Sequence, residues 1–263
     1  MMMSERNRGV RFDELTNPEI VAALSDRPLV LIPCGSTEQH GPHLPTGTDY
    51  FASLAISDLV ARQIGGLVLG GMQFGITPIH MGFPSTVTVS ATTFEAIHMD
   101  IAASLVAHGV KEIAYVNWHE GNIGSLTTVA SRVTQELKAN VVVAQACYVA
   151  EEHFGEKMSG LTHGGAIEAA AVLGGRPELV RYDQLDPAED SPGERPADHA
   201  RRGRSFQTVL RDIREISNSG WYGSSQRVSE EEGRELVQRV AQVVAAELDV
   251  RFEHLKKLRP VAE

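Results

Sequence analysis

Apolar residues along this chain fall into short continuous runs, separated by longer stretches with helical spacing. Residues 29–32, 66–70, 112–118 and 140–148 are brief, rich in β-branched side chains, and do not alternate with polar ones. Such runs suit strands buried on both faces, as in parallel sheets. Between them, 50–63 carries Ala, Leu and Ile at helical spacing. Residues 92–108 put Phe94, Ile97, Ile101 and Leu105 on one face. This second helix is predicted to open on a capping box, Thr92 with Glu95, and to close at Gly109. Residues 122–137 and a small-residue stretch, 163–174, read as further helices. The last, 229–252, opens on Ser229 with Glu232 and turns Leu236, Val240, Val243, Val244 and Leu248 inward. Strand and helix in alternation predict an α/β fold with a mostly parallel central sheet.

Composition narrows the class. The chain has 263 residues, 42% hydrophobic and 22% charged, which fits one globular domain spanning 1–263. The Pro- and charge-rich stretch at about 186–206 has little to bury and reads as a long loop or lid. A formal net charge of −10 argues against nucleic acid and anionic membranes as partners. Two cysteines, Cys34 and Cys147, make a disulfide framework the weaker reading. The first residues lack a signal-peptide apolar core, and no apolar run approaches the roughly 20 residues that span a bilayer. A soluble, cytoplasmic protein is expected.

Polar chemistry clusters where buried strands should end, the place where open α/β sheets bind ligands. After the first strand come Glu38, Gln39, His40, His43 and Asp49, among glycines and prolines that force an irregular backbone. After the third come Asn117, Trp118, His119, Glu120 and Asn122. His163 and Glu168 open the small-residue helix. Carboxylates mixed with imidazoles suit a divalent metal such as Zn, Mn, Fe or Co. A metal-free His/Glu/Asp site is the alternative.

These clusters resemble the creatinine amidohydrolase (creatininase) family. The likeness lies in GSTEQHGPHLPTGTD at 35–49, NWHEGN at 117–122 and HGGAIE at 163–168, with GFPSTV at 82–87 similar to a fourth family segment. The resemblance implies a three-layer α/β/α domain, usually hexameric, acting as a metal-dependent hydrolase of cyclic amides and related C–N bonds. It implies two divalent ions (Zn, Mn or Fe). Glu38 and His119 would hold one and His40 the other, with Asp49 between. Gly121 stands where creatinine-specific members place a carboxylate, so the resemblance assigns that role to Glu168. His163 becomes a candidate proton shuttle, and Glu120 a support or substrate contact.

Other residues carry weaker readings. His80 and Ser85 could line the pocket, and Phe83 and Trp118 read equally as pocket walls or core. His43 could support the ligands. His98, His108, His153, His199 and His254 read as structural or surface residues, and Arg201, Arg202 and Arg204 as a solvated run. Cys34 as a nucleophile lacks a partner pattern. Segment 149–162 holds no Trp, unlike the lid of creatinine-specific members. A small neutral cyclic amide is therefore favoured over creatinine itself. A cyclic polyol ketone, a formamide or a peptide in cofactor maturation remain alternatives. So does a non-catalytic assembly protein.

Overall fold

The computed structural model describes residues 10–185 and 209–258. Segment 186–206, with His199, Arg201, Arg202 and Arg204, lies outside them. The chain runs α1 (Asn17–Asp26), β1 (Leu29–Cys34), α2 (Thr48–Ile64), β2 (Leu67–Val68), α3 (Ala91–Ala107) and β3 (Glu112–Asn117). It continues with α4 (Ile123–Leu137), β4 (Asn140–Gln145), α5 (Ala146–Met158), α6 (Ala166–Gly175) and α7 (Glu230–Lys257).

The strands form one parallel sheet in the order β2-β1-β3-β4. Leu29 stands opposite Glu112 and Cys34 opposite Asn117, so β1 and β3 end level. Their side chains alternate between two apolar layers. Leu29, Leu31, Ala114 and Val116 pack with α2, α5, α6 and α7. Val30, Ile32, Ile113 and Tyr115 pack with α3 and α4. Helices on both faces explain why these strands carry no polar alternation, and the result is a three-layer α/β/α arrangement.

The chain steps from β1 outward to β2, then returns past β1 to β3. The crossovers therefore leave β1 in opposite directions. A crevice opens between the carboxyl ends of β1 and β3, the topological switch point of such a sheet.

Several boundaries differ from the sequence pattern. The apolar run 29–32 predicts a strand ending before Pro33, yet β1 continues to Cys34. The Leu31 carbonyl faces β2, accepting the Leu69 N–H at 3.0 Å. Pro33 faces the same side two residues on, where β2 has ended, so its missing N–H costs no ladder bond. β2 itself shrinks to two residues. The run 140–148 divides at Gln145, and α5 follows directly, burying Cys147, Ala150, Phe154 and Met158 at helical spacing. Segment 149–162 is thus mostly helix rather than lid. The α3 cap is Ser90, whose side chain accepts the Thr93 N–H, and not Thr92. Glu95 instead accepts the Ser125 hydroxyl of α4 at 2.8 Å. The expected box of Ser229 and Glu232 does open α7.

Candidate metal centre

Each motif places its polar groups by ending an element at the crevice. The loop after β1 carries Glu38, Gln39 and His40, and the first turn of α2 carries Asp49. The turn after β3 carries His119, and the first turn of α6 carries Glu168. Five potential ligands therefore come from three separated stretches, and all are buried.

They form two triads that share Asp49. Glu38, Asp49 and His119 make one, and His40, Asp49 and Glu168 the other; within each, ligand atoms lie within 4.8 Å of one another. His119 Nδ1 is 3.0 Å from Asp49 Oδ2 and 3.5 Å from Glu38 Oε2. His40 Nε2 is 3.3 Å from Asp49 Oδ1 and 3.7 Å from Glu168 Oε2. A third set, Glu38, His40 and His163, overlaps both.

The other nitrogen of each ring is already used. His40 Nδ1 faces the Glu38 carbonyl at 3.0 Å, and His119 Nε2 faces the Ile76 carbonyl at 3.1 Å. A carbonyl only accepts, so these nitrogens carry the protons. Neutral rings would then aim bare nitrogens at carboxylates, an arrangement that demands a cation between them. The buried atoms Glu38 Oε2, His40 Nε2 and Asp49 Oδ1 indeed have no hydrogen-bond partner among the described residues. A mixed set of carboxylate and imidazole donors with unspent lone pairs fits a divalent ion such as Zn or Mn.

Protons occupy the site when no metal does. Burial works to lower the His40 pKa, but Asp49 and Glu168 outweigh it and push it up to about 10. His119 is likewise driven against its burial by Glu38 and Asp49, to about 9. Burial tends to raise Asp49, yet the imidazoles of His40 and His119 hold it well below the usual carboxylate range. Glu168 is raised to about 7, chiefly by burial and in spite of His40. His163 is lowered well below its ordinary value by burial and by the neighbouring His80 and His40.

Gly121 leaves no room for a carboxylate at its own position. A Cβ there would lie 2.1 Å from the Ile76 carbonyl and 2.5 Å from His119 Nε2. The position is occupied by the bond that orients His119, so no side chain fits. Asn122 supports the same bond from behind, accepting the Ile76 N–H at 3.0 Å and donating to the Gly35 carbonyl at 2.9 Å. Ser36 donates to Asp49 Oδ2 at 2.8 Å. The Gly164 N–H donates to Glu168 Oε2.

The remaining candidates divide. His80 lies in the site, with Nε2 at 3.7 Å from Glu38 Oε1. Glu120 stands outside the triads and accepts the Tyr148 hydroxyl at 2.9 Å. Trp118 is buried in the layer under α2 and α5, which favours core over pocket wall. Phe83 packs on Ile213 and Tyr222, and Ser85 is exposed. His43 lies edge-on to Trp221 and stacks on Tyr182, and is not a member of the triads. The Cys34 thiol is fully buried and its pKa pushed up, which removes it as a nucleophile. His108, His153 and His254 are exposed, while His98 is core.

One piece escapes the motif reading. Gly220, Trp221 and Tyr222 close over the site. The Tyr222 N–H donates to the His163 carbonyl at 2.8 Å. Trp221 rests on Gly41 and Gly164, both at φ +73°, where a Cβ would strike it at 2.6–2.8 Å. Two aromatics between glycines, in a stretch otherwise of Ser and Asn, are the signal that could have marked it.

Comparison with known proteins agrees with this architecture. The family model described as creatinine amidohydrolase (Creatininase) matches residues 13–248. A mycofactocin precursor peptide peptidase of Mycolicibacterium smegmatis is 30% identical over 164 residues, 60% of this chain and 62% of that protein. The match thus spans less than two thirds of that relative. The creatinine amidohydrolase of Pseudomonas putida is 27% identical over 199 residues, covering 68% of this chain and 76% of that one. A 3-dehydro-scyllo-inosose hydrolase of Thermotoga maritima is 34% identical over 116 residues, covering 44% and 37%. A creatininase crystal structure superposes with a TM-score of 0.80 over 94% of this chain and 99% of that chain, at 24% identity, which shows the fold. Similar creatininase structures include a manganese form and a Zn–Zn type. From the extent of the family match and the shared fold, this chain belongs to the creatininase family.

Proposed function

We propose that this chain is a metal-dependent hydrolase that opens the C–N bond of a small cyclic amide. The observation that carries the reading is the convergence of five buried imidazole and carboxylate groups in two triads that share Asp49. In this reading Glu38 and His119 hold one divalent ion, His40 and Glu168 a second, and Asp49 serves both. Bound there, divalent ions supply Lewis acidity toward a carbonyl and hydroxide from water near neutral pH.

The chain's own groups then have separate tasks. Burial of the ligands excludes bulk water and strengthens every charge interaction in the crevice. The Ile76 and Glu38 carbonyls hold the two ligand rings in place. His163, lowered in pKa and so neutral, with Nδ1 3.6 Å from Glu38, suits taking up a proton there and passing it on to the departing nitrogen. An amide nitrogen leaves poorly as an anion, so such a donor is required. Glu120, beside His119 and bonded to Tyr148, is the candidate contact for the outer part of the substrate, with Ser85, Phe83 and His80.

A peptide substrate is the second reading, favoured by likeness to the mycofactocin precursor peptide peptidases. Cyclic polyol ketones and formamides follow. A homohexamer in the cytoplasm completes the reading. It rests on the family resemblance alone. The test is a substrate screen of metal-loaded protein over creatinine, lactams, hydantoins, formamides, peptides and polyol ketones, with metal analysis alongside. Fewer than one ion per subunit after add-back would sink the two-ion reading. Full occupancy without turnover on any class would favour a non-catalytic role.

A further inference from the structure

Glu38 Oε1 is flanked by two imidazoles outside the two triads that share Asp49. His80 Nε2 lies 3.7 Å from it and His163 Nδ1 3.6 Å, and the two rings are 4.3 Å apart between centroids. Whether each ring gives or takes a hydrogen there depends on which nitrogen carries the proton. The residue that decides is Gln39.

Gln39 Oε1 accepts the Gly41 N–H at 3.0 Å, which fixes the sense of the amide. Its Nε2 is 2.7 Å from the Gly220 carbonyl and 2.9 Å from His80 Nδ1. Two hydrogens serve those two acceptors. His80 Nδ1 is therefore bare, its proton is on Nε2, and that N–H points to Glu38. His163 Nε2 is 2.6 Å from the Gln39 backbone carbonyl, which can only accept. That nitrogen carries the proton, and the bare Nδ1 points to Glu38. The 3.1 Å approach of Gln39 Nε2 to His163 Nε2 then involves two N–H groups and is not a bond. Gly220, at φ +87°, is shaped to this amide, because a Cβ there would lie 2.3 Å from Gln39 Oε1.

We propose that Gln39 is a positioning residue that assigns opposite roles to two histidines at one carboxylate. Its side chain makes His80 present a fixed N–H toward Glu38 Oε1, 3.7 Å away. Its backbone makes His163 a fixed acceptor. The rings share one tautomer and present opposite edges. A donor and a proton acceptor are thus set in place before substrate arrives. What the pair is used for rests on the hydrolase reading; the tautomers rest on the hydrogen bonds alone.

The substitution Gln39→Glu keeps the shape and removes both N–H groups. An oxygen would then face His80 Nδ1 and draw the proton there, leaving Nε2 bare toward Glu38. His163 should not change, because its partner is backbone. The experiment is long-range proton–nitrogen correlation NMR on full-length protein with labelled histidine, metal-free and zinc-loaded. Single His80→Gln and His163→Gln variants assign the signals. Both rings are expected as Nε2–H in the wild type, with His80 alone switching to Nδ1–H in Gln39→Glu. A wild-type His80 protonated on Nδ1, or one that fails to switch, overturns the proposal. Should Gln39→Glu not fold, Gln39→Met replaces it: loss of a single His80 tautomer supports the assignment, and its retention overturns it. An enzyme inactive on every substrate would fail the hydrolase reading yet leave these spectra as expected, so the two failures are distinguishable.

Discussion

Metal should enter this site by expelling protons, and the number is predictable. Glu38, Asp49 and Glu168 surround His40 and His119, all of them buried. Each imidazole already spends one N–H on a backbone carbonyl. The proton that charges it in the metal-free protein therefore sits on the metal-facing nitrogen. His40 is raised to about 10 and His119 to about 9, so both hold that proton at pH 7.5. Removing them at that pH costs about 3 kcal/mol for His40 and about 2 kcal/mol for His119, at roughly 1.4 kcal/mol per pH unit. Filling both positions should release at least two protons, with overall affinity rising about a hundredfold per pH unit between pH 7.5 and 8 and less steeply above, as His119 loses its proton near 9 without metal. Calorimetric titration of metal-free protein with zinc, in buffers of differing ionisation enthalpy, reads the count directly. His40→Gln should lower it by one. Stoichiometric binding at pH 7.5 with no proton release would refute the argument. The same shifts set the sign for stability. A raised histidine pKa stabilises the metal-free fold below about 6.5, the unfolded value, and that contribution is lost as pH rises through 9 and 10.

Other outcomes follow from single contacts. Asp49→Ala removes the group common to both triads; metal content should fall below one ion per subunit with the circular dichroism unchanged, and two retained ions would contradict the shared role. Gly121→Ala drives a methyl into the Ile76 carbonyl and His119 Nε2, so metal affinity by competitive chelation should drop about 10- to 100-fold, as for loss of a supporting bond. His98 is buried with neither ring nitrogen bonded among the described residues, and burial lowers its pKa to about 4. It therefore costs stability as pH falls from 6.5 toward 4, by up to about 3 kcal/mol; His98→Leu should flatten urea midpoints between pH 5 and 7, and an unchanged slope would count against it. Trp221→Ala empties the space above Gly41 and Gly164, with an expected loss of about 3–5 kcal/mol in denaturant unfolding.

The layers were legible because burial on both faces erases alternation. β1 and β3 read as unbroken apolar runs, and the helices between them as spaced ones. Ends were less legible, since they depend on partners. β1 runs through Pro33 only because β2 has stopped, and α5 starts at Ala146 because the inward positions change from period two to period four there. The clustering of the triad groups was legible because His and carboxylate are dense in short motifs. Their supports were not. Backbone carbonyls, of Glu38 and Ile76, stand behind His40 and His119. Carbonyls are the same at every residue, so no sequence pattern marks them.

Gly121 shows what this implies for reading substrate from motif. A glycine in a ligand motif looks like a missing ligand. Here it is the room that the Ile76 carbonyl needs to hold His119. In the proposed site the charge that a carboxylate at that position would bring comes from Glu168 at the start of α6, 3.7 Å from His40 Nε2. The consequence is geometric. A carboxylate at position 121 would rise from the turn after β3, on the side of Glu120 and Tyr148. Glu168 enters beside Gly164, beneath the Trp221 segment. The side next to His119 is thereby left to Glu120 and Tyr148, a hydrogen-bonded acid and phenol rather than a metal ligand. Substrate choice should therefore respond to Glu120→Gln or Tyr148→Phe while metal content stays constant. A change in bound metal in either variant would return Glu120 to the ligand set.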